Sequence, residues 1–503
     1  MDALCTVSFE QFYQAMGLSK YPFREKTAER ENTKDLFVKP LNYSILNDDL
    51  TSDITTIVCG NRGSGKTMLL SDMRSNEEKK RVTCLIENFE SVQKSHNQLD
   101  FYSLILKNVT KATLTFLSSH KKILKSANKE DKVLLSFLIM KYGDEITDSQ
   151  LRTAIEDVQL NAFKRVINKF SKPLTDLVNY GSTSITNFGN ELLTKHFGPY
   201  LPTVNESAIK NIFPEISFPI DREFYNISIS YDLFNRSMEA IKRITETVPL
   251  IFIDKLDEDI RFENDSELVA DFIRDLICDN KLLLNENLQL IIAIWEIPFE
   301  YLSSVFRKSK NSVYEIDWNA EHLMKVLNHR LSVYSNGRVN NYKDLFRSDV
   351  SDKVIEPIYI LANRNPRDLW GIFDAVFHAQ YLLDSTSTKI SQKAILNGLN
   401  DFVSKFQFYE YYPKKKNAQK NTNDIYSYIG YLLKLNGTDE FTHNELREAA
   451  STGGSTTNYI SGMVKIGLVK KTERKRSGGA VIYKVNDPKV TYAIMNKIDI
   501  FSN

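Results

Sequence analysis

The chain has 503 residues, of which 42% are hydrophobic and 26% are charged, and its formal net charge is +1. This length predicts about three domains, and the composition permits a large hydrophobic core. The near-zero net charge excludes a global attraction to nucleic acid or to membranes, so any basic surface must be local.

The sequence shows no sign of export. Its N-terminus lacks a basic stretch followed by an apolar one, and no run approaches the roughly 18 apolar residues of a membrane span. The four cysteines have no paired spacing, and Cys59 and Cys84 lie in apolar, strand-like runs. We therefore expect a cytoplasmic protein with buried free thiols and no membrane contact.

Residues 1–50 form a lead-in segment. Residues 9–16 predict a short helix, which the Gly17-Leu18 pair ends. Pro22 and Phe23 are expected either to flank a base bound at the loop that follows or simply to cover the edge of the sheet.

A phosphate-binding loop is predicted at Gly60-Asn61-Arg62-Gly63-Ser64-Gly65-Lys66-Thr67, after an apolar run and before a helix start. Glycines let the backbone amides point at a β-phosphate, and the helix N-terminus adds partial positive charge. Lys66 is expected to neutralise the β- and γ-phosphates, and Thr67 to ligate Mg²⁺. The pattern predicts that a nucleoside triphosphate binds here.

The predicted core domain spans 51–316 and contains a large helical insertion. Its second strand is predicted at 81–87, and from about 97 to 245 the pattern is mostly helical, with helices at 100–117, 132–142 and 149–170. Residues 181–222 are rich in small polar residues and then in proline. For that segment, partner recognition and a solvated excursion without a role both stay open.

A strand buried on both faces is predicted at 249–254, because an almost purely apolar run ends in Asp254. This carboxylate would face the phosphate-binding loop and hold Mg²⁺, mostly through water. Asp257 and Glu258 are the candidates for positioning or deprotonating the attacking water. The alternative is that one or both only cap a helix that begins near Asp257.

Another buried strand is predicted at 288–295 and ends at Glu296. A polar residue at that end could sense the γ-phosphate. Because an acid is an odd choice beside a triphosphate, we treat a sensing role for Glu296 as weak.

An all-α lid is predicted over 317–410. Helices are expected from Asp317-Trp318-Asn319 to residue 334, over 354–362, and from Pro366 to about residue 383. Arg367 would project from the first turn of the last of these, where its Asn-Pro-Arg context favours contact with the nucleotide over a surface role.

Residues 411–423 indicate a flexible basic linker, and residues 424–503 a winged helix. Its third helix offers small polar residues that can contact phosphates or base edges: Ser455, Thr456, Thr457 and Asn458. Its hairpin carries a cluster of cations: Lys470, Lys471, Arg474, Lys475 and Arg476. This clustering favours DNA binding, with packing or protein contact as the alternative.

Together these parts resemble the AAA+ and STAND ATPases, in particular the branch shared by archaeal origin-recognition proteins and bacterial STAND-like or KAP-like ATPases. The resemblance rests on the order of Gly17-Leu18 with Pro22-Phe23, the 60–67 loop, Asp254-Lys255-Leu256-Asp257-Glu258, Asn365-Pro366-Arg367 and the winged helix. It covers most of the chain outside 100–245. It implies a P-loop ATPase that binds ATP with Mg²⁺, a lid that carries the sensor arginine, and a homo-oligomer.

Three departures from the family pattern bear on hydrolysis. Lys255 stands where ordinary AAA+ proteins have their catalytic glutamate, so Asp257 or Glu258 must serve. Trp295-Glu296 replaces the polar or basic first sensor, and no arginine finger can be assigned, with Arg307 and Arg330 as candidates. Slow, switch-like hydrolysis and motor-like turnover therefore both stay open.

The predicted fold class is α/β: a parallel-sheet P-loop NTPase core with a helical insertion, an all-α lid and a C-terminal winged helix. The resemblance implies a regulatory ATPase that couples nucleotide state to assembly and to DNA or partner binding, in antiphage defence or a mobile element, with a separately encoded effector. One alternative is a replication or transposition ATPase that acts on DNA. The other is a STAND-type switch with a structural winged helix, whose insertion senses a protein.

Overall fold

The computed structural model describes residues 7–25, 33–120, 123–142, 230–414, 424–435, 437–476 and 478–500. The helix predicted over 149–170 and the proline-punctuated segment at 181–222 lie outside these residues, as does most of the predicted linker.

A five-stranded parallel sheet forms the centre of the core, with strand order β2-β3-β4-β1-β5. Its strands are β1 (Thr56–Gly60), β2 (Thr83–Ile86), β3 (Leu250–Ile253), β4 (Gln289–Trp295) and β5 (Ser312–Glu315). Every residue of β3 and β4 is buried, because helices cover both faces of the sheet. The α/β parallel-sheet prediction is confirmed.

Helices make up most of the remaining described structure. In chain order they are α1 (Phe9–Ala15), α2 (Thr33–Leu36), α3 (Tyr43–Thr51), α4 (Lys66–Glu77), α5 (Gln98–Ser119), α6 (Ile123–Ser126), α7 (Lys129–Tyr142), α8 (Tyr231–Thr245), α9 (Ser266–Ile277), α10 (Asn280–Leu283), α11 (Glu296–Tyr301), α12 (Ala320–Ser335), α13 (Asp352–Ala362), α14 (Pro366–Leu383), α15 (Gln392–Ser404), α16 (Ile425–Leu432), α17 (His443–Ala450), α18 (Thr456–Lys465) and α19 (Pro488–Asn496). Within the described ranges, none of them combines the length and apolar character needed to cross a membrane.

Alternate residues of the core strands pack into two different helical layers. Ile251 and Ile253 face the layer that contains α5, α7, α8 and α9, whereas Leu250 and Phe252 face α3 and α4. This alternation follows from the two-residue period of a strand. The helices predicted over 100–117 and 132–142 are confirmed as α5 and α7.

The sheet order opens a crevice beside β1. The chain leaves β1 for β2 at the far edge, while β5 lies on the opposite side of β1. In open α/β sheets, ligands bind at the carboxyl ends of the strands where the connections diverge in this way. The 60–67 loop and Asp254 both follow strands at that edge.

The helical lid and the winged helix share one hydrophobic core, which also takes in α1 and Phe23 from the N-terminal segment. Tyr412, predicted to lie in a flexible linker, is 7% exposed and belongs to this core, and Tyr411 packs against it. The linker prediction is therefore wrong for these two residues, because burying their rings ties the end of the lid to the winged helix.

The C-terminal residues have the element order of a winged helix. The strands β6 (Glu440–Thr442), β7 (Val469–Lys475) and β8 (Val481–Val485) form an antiparallel sheet in the order β6-β8-β7. Helices α17 and α18 pack on it, α16 packs on those two helices, and α19 follows the hairpin. Thr442 and Glu445 form the capping box at the start of α17.

We predict that Gly398→Ala lowers the free energy of unfolding by about 2 kcal/mol, because the new methyl group would overpack the α14–α15 contact. An added Cβ would lie 2.6 Å from Cα of Val376, and this clash outweighs the roughly 1 kcal/mol that alanine gains in a helix. Chemical denaturation measures the change. Gly454→Ala, where a Cβ meets nothing within 4 Å, is the control; an equal effect in both variants would contradict the packing argument.

Candidate nucleotide-binding site

The 60–67 loop connects β1 to α4 and surrounds the ammonium group of Lys66. Gly63 and Gly65 have φ values of +80° and +95°, which glycine adopts without steric cost. Lys66 Nζ donates to the backbone oxygens of Gly60 at 2.8 Å and Asn61 at 3.0 Å. Burial lowers the pKa of Lys66 because desolvation disfavours its charged form. An anion bound in the loop would oppose this shift, because a nearby negative charge favours the ammonium form of Lys66.

Asp254 lies at the carboxyl end of β3 and contacts the loop directly. Its carboxylate accepts hydrogen bonds from the Thr67 hydroxyl and, at 2.9 Å, from the backbone N–H of Lys255. Burial raises the pKa of Asp254, and the bond from Thr67 opposes that shift. A hydroxyl and a carboxylate are the oxygen ligands that Mg²⁺ uses together with substrate phosphates, so this pair fits the predicted metal.

Arg62 fastens the loop to the segment that follows β3. Its Nε donates to the Asp257 carboxylate at 2.8 Å, its Nη2 to the Asp257 carbonyl at 3.0 Å, and its Nη1 to Asn264 Oδ1 at 2.9 Å. The guanidinium also stacks on Trp295, 4.2 Å from the ring centroid. Asp257 is thus held by the loop itself, whereas Glu258 is exposed and lines the cavity in front of the loop.

Neither of these acids caps a helix. Asp259 caps a short 3₁₀ turn at Ile260–Phe262, and α9 begins at Ser266 with Asp265 as its cap. The capping alternative for Asp257 and Glu258 is therefore wrong, since other residues cap both of these elements.

The first turn of α14 lies against the loop. Asn365 caps this helix, and its Nδ2 donates to the Arg62 carbonyl at 2.6 Å. Arg367 packs over Gly63, where an added Cβ would lie 2.7 Å from the Cβ of Arg367. Among the described residues the buried Nε of Arg367 has no hydrogen-bond partner, and its Nη1 is 3.9 Å from Glu410. The lid therefore presents a cation with an unused donor beside the loop.

Apolar and aromatic side chains also line the cavity, and sequence reasoning missed them. They are Leu36, Phe37, Val38, Pro40, Ile316, Trp318, Val326 and Trp370. Trp318 Nε1 donates to the Ser64 carbonyl at 2.8 Å, which places its ring next to the loop. The chain has three tryptophans, and all three contact the loop or line this cavity, so the rarity of tryptophan was a usable signal.

Pro22 and Phe23 are absent from the walls of this cavity. Phe23 is buried in the lid and stacks on Phe373 with ring centroids 5.2 Å apart. The Pro22 carbonyl accepts a hydrogen bond from Arg330 Nε at 2.5 Å. The idea that they flank the base is not supported, because neither residue lines the cavity, whereas residues of the 36–40 segment do.

Arg330 and Glu296 also differ from their suggested roles. Arg330 is buried, lies over the Trp370 ring and lines the cavity of its own chain, so it cannot act as a finger toward another subunit. Glu296 begins α11 and lines a separate cavity behind the loop, where burial raises its pKa. Arg307, by contrast, is exposed between β4 and β5.

The predicted nucleic-acid residues divide into exposed and buried ones. The exposed ones are Ser455, Thr457, Asn458, Lys470, Lys471, Arg474, Lys475 and Arg476. Thr456 is fully buried and its hydroxyl donates to the Gly453 carbonyl at 2.7 Å, so the prediction that it contacts nucleic acid is wrong. Arg474 and Arg476 form ion pairs with Glu440 and Glu445 of the same domain.

The sequence matches no protein-family model and no curated protein. Among solved structures, the chain is similar to the ORC2 protein of Aeropyrum pernix in its ADPNP–ADP complexes, at 10% identity and a TM-score of 0.37, with 96% of this chain and 98% of that chain covered. The ADP form of that protein aligns at 10% identity and a TM-score of 0.32, covering 90% and 91%. The Drosophila ORC bound to DNA aligns at 9% identity and a TM-score of 0.28, covering 98% and 93%. These low scores give no basis for transferring a function, and the fold assignment rests on the sheet and the loop themselves.

We predict that Gly63→Ala weakens binding of a fluorescent ATP analogue by about tenfold or more, because the methyl group would push Arg367 and Asn365 away from the loop. Gly337→Ala is the matched control, since φ at Gly337 is +79° and an added Cβ there meets nothing within 4 Å. Fluorescence titration of both variants separates contact with the lid from backbone strain. Equal losses in the two variants would contradict the role of this contact.

Proposed function

We propose that this protein is a regulatory ATPase that binds ATP with Mg²⁺ in the cavity between the sheet and the lid. The observation that carries the proposal is the lining of this cavity, which combines two kinds of residue. The 60–67 loop, Lys66 and Arg367 suit a triphosphate. The apolar and aromatic side chains suit a planar base.

Most of the charged side chains that line the cavity have a role in this proposal. The loop amides and Lys66 hold the β- and γ-phosphates, and Arg367 of the lid approaches them from the other side. Thr67 and Asp254 would hold Mg²⁺, which neutralises charge on the phosphates when it is bound. Glu258 orients the attacking water, whereas Asp257 anchors Arg62 and keeps the loop in shape.

The charge pattern beside Asp254 favours a slow switch over a motor. Lys255, which stands in the place of the usual catalytic glutamate, has a φ of +60° and pairs with Glu87 at 3.0 Å. The candidate acid Glu258 lies three residues further on, in the turn before α9.

Assembly into a homo-oligomer, with Arg307 facing a neighbour, belongs to the proposal. An effector protein and a setting in antiphage defence or mobile elements stay predictions from the resemblance alone.

We predict that Lys66→Ala abolishes Mg²⁺-dependent binding of ATP, because the buried cation at the centre of the loop is lost. Isothermal titration calorimetry with ATP and with ADP measures this. Lys79→Ala, an exposed lysine just beyond the end of α4, is the control and should bind as the wild type does. Retention of ATP binding by the Lys66 variant would overturn the assignment of the cavity.

We predict that Glu258→Gln lowers ATP turnover by about a hundredfold with binding preserved, because the amide cannot take up the proton of the attacking water. Asp257→Asn keeps an acceptor for Arg62 and should lower turnover by less than about tenfold. A phosphate-release assay, with binding measured separately, compares the two variants. The reverse order of effects would assign the water-positioning role to Asp257.

The winged helix is proposed to bind DNA through the exposed lysines of β7. We predict that Lys470→Glu/Lys475→Glu lowers DNA affinity and reduces the slope of log affinity against log salt by about 2, because two phosphate contacts are lost. Lys353→Glu/Lys393→Glu makes the same charge change on exposed residues of the lid and should leave the slope unchanged. Fluorescence anisotropy across a salt series measures both. An unchanged slope in the β7 variant would favour a winged helix that packs or binds protein.

A further inference from the structure

A continuous series of polar contacts connects the phosphate-binding loop to the last helix of the winged helix. Asn365 Nδ2 donates to the Arg62 carbonyl at 2.6 Å and also to the Tyr411 hydroxyl. The Tyr411 hydroxyl donates to Asp368 Oδ1 at 2.9 Å, and Lys489 Nζ lies 2.8 Å from Asp368 Oδ2. We call these five residues the loop-to-wing relay.

The ionic part of the relay is buried. Asp368 is 4% exposed and Lys489 is 1% exposed, and the Lys489 ammonium lies over the ring of Phe406 at 4.4 Å and of Tyr411 at 5.0 Å. Removing one member of a buried ion pair leaves the other charge without compensation, so the pair holds a defined geometry. Burial raises the pKa of Asp368, and Lys489 opposes this shift, which makes the carboxylate dependent on its partner.

The two ends of the relay lie in helix turns that are joined by the relay, so a displacement of one can move the other. Asn365 caps α14, and Asp368 follows Arg367 in the first turn of that helix, beside Gly63 of the loop. Lys489 belongs to the first turn of α19, and α19 packs in the core that the lid and the winged helix share. A movement of the first turn of α14 therefore moves the partner of Lys489.

We propose that Tyr411, Asp368 and Lys489 are positioning residues that couple occupancy of the nucleotide cavity to the state of the winged helix. The inference rests on the proposed function, because a nucleotide must bind at the loop for the relay to act. Contact of Arg367 with the phosphates displaces the first turn of α14. The Tyr411 hydroxyl, which accepts from Asn365 and donates to Asp368, holds the Asp368 carboxylate against Lys489 during this displacement, so that the ion pair transmits it to α19. Because coupling between two sites is reciprocal, a ligand of the winged helix changes the affinity for nucleotide by the same factor.

The test compares two adjacent tyrosines in the full-length protein. Tyr411→Phe removes the hydroxyl that accepts from Asn365 and donates to Asp368, and so interrupts the relay. Tyr412→Phe removes the hydrogen bond from Tyr412 to Asp487 Oδ2, 2.8 Å long, which reaches the cap of the same helix and joins two residues outside the relay. Hydrogen exchange of peptides covering 488–496 is measured without nucleotide and with saturating Mg²⁺ and either ADP or a non-hydrolysable ATP analogue. We expect nucleotide to change exchange at α19 by about fivefold or more in the wild type and in Tyr412→Phe, and to have no effect in Tyr411→Phe.

The outcomes separate this inference from the proposed function. Wild-type protein that binds nucleotide without any change at α19, or an equal change in Tyr411→Phe, overturns the coupling and leaves the ATPase proposal intact. Wild-type protein that binds no nucleotide overturns both. If Tyr411→Phe does not fold, Lys489→Met/Asp368→Asn removes both charges of the buried pair and provides the same comparison, since it leaves the contacts of the loop itself in place. Coupling that persists in this double variant also contradicts the proposal.

Discussion

The hydrogen bond from Asn365 to the Arg62 carbonyl is the contact on which the candidate site depends. It brings the start of α14 against the loop, and Gly63 makes this approach sterically allowed because it has no Cβ. The same helix start places Arg367 beside the loop and Trp370 in the cavity wall. Without this contact the sheet would offer a phosphate-binding loop but no closed cavity, because the apolar part of the cavity lining comes largely from the lid and from the segment that precedes β1.

Two ion pairs then set the chemistry that the site can perform. Arg62 forms an ion pair with Asp257. Glu87 forms one with Lys255, the residue that follows the acid at the end of β3. Both pairs use side chains at positions where a P-loop ATPase could place catalytic groups. The arrangement leaves Glu258 as the exposed acid in front of the loop, in a turn rather than on a strand end. This arrangement is the reason for proposing slow hydrolysis, in which the nucleotide-bound state is the signal.

The sequence predicted the parts of the structure that follow from local pattern. The apolar runs of β3 and β4 and the spacing of the 60–67 loop depend on neighbouring residues only, so they were accessible. The walls of the cavity could not be predicted from the sequence, because Trp318, Trp370 and the 36–40 segment come together only when the lid folds over the sheet. Thr456 looked like a recognition residue, but its hydroxyl closes a turn onto Gly453. Tyr411 and Tyr412 lie beside a basic run and were assigned to a linker, since their partners Asp368 and Asp487 are distant in sequence.

The position of a bound nucleotide is best determined in a crystal structure with Mg²⁺ and a non-hydrolysable ATP analogue. We expect the triphosphate to lie in the 60–67 loop, with Lys66 Nζ moved from the Gly60 and Asn61 carbonyls onto the phosphate oxygens. The base should lie against Trp318 and the 36–40 segment, and Arg367 should contact the phosphates. A nucleotide bound elsewhere, or Lys66 still bonded to the loop carbonyls beside a bound nucleotide, would contradict this expectation.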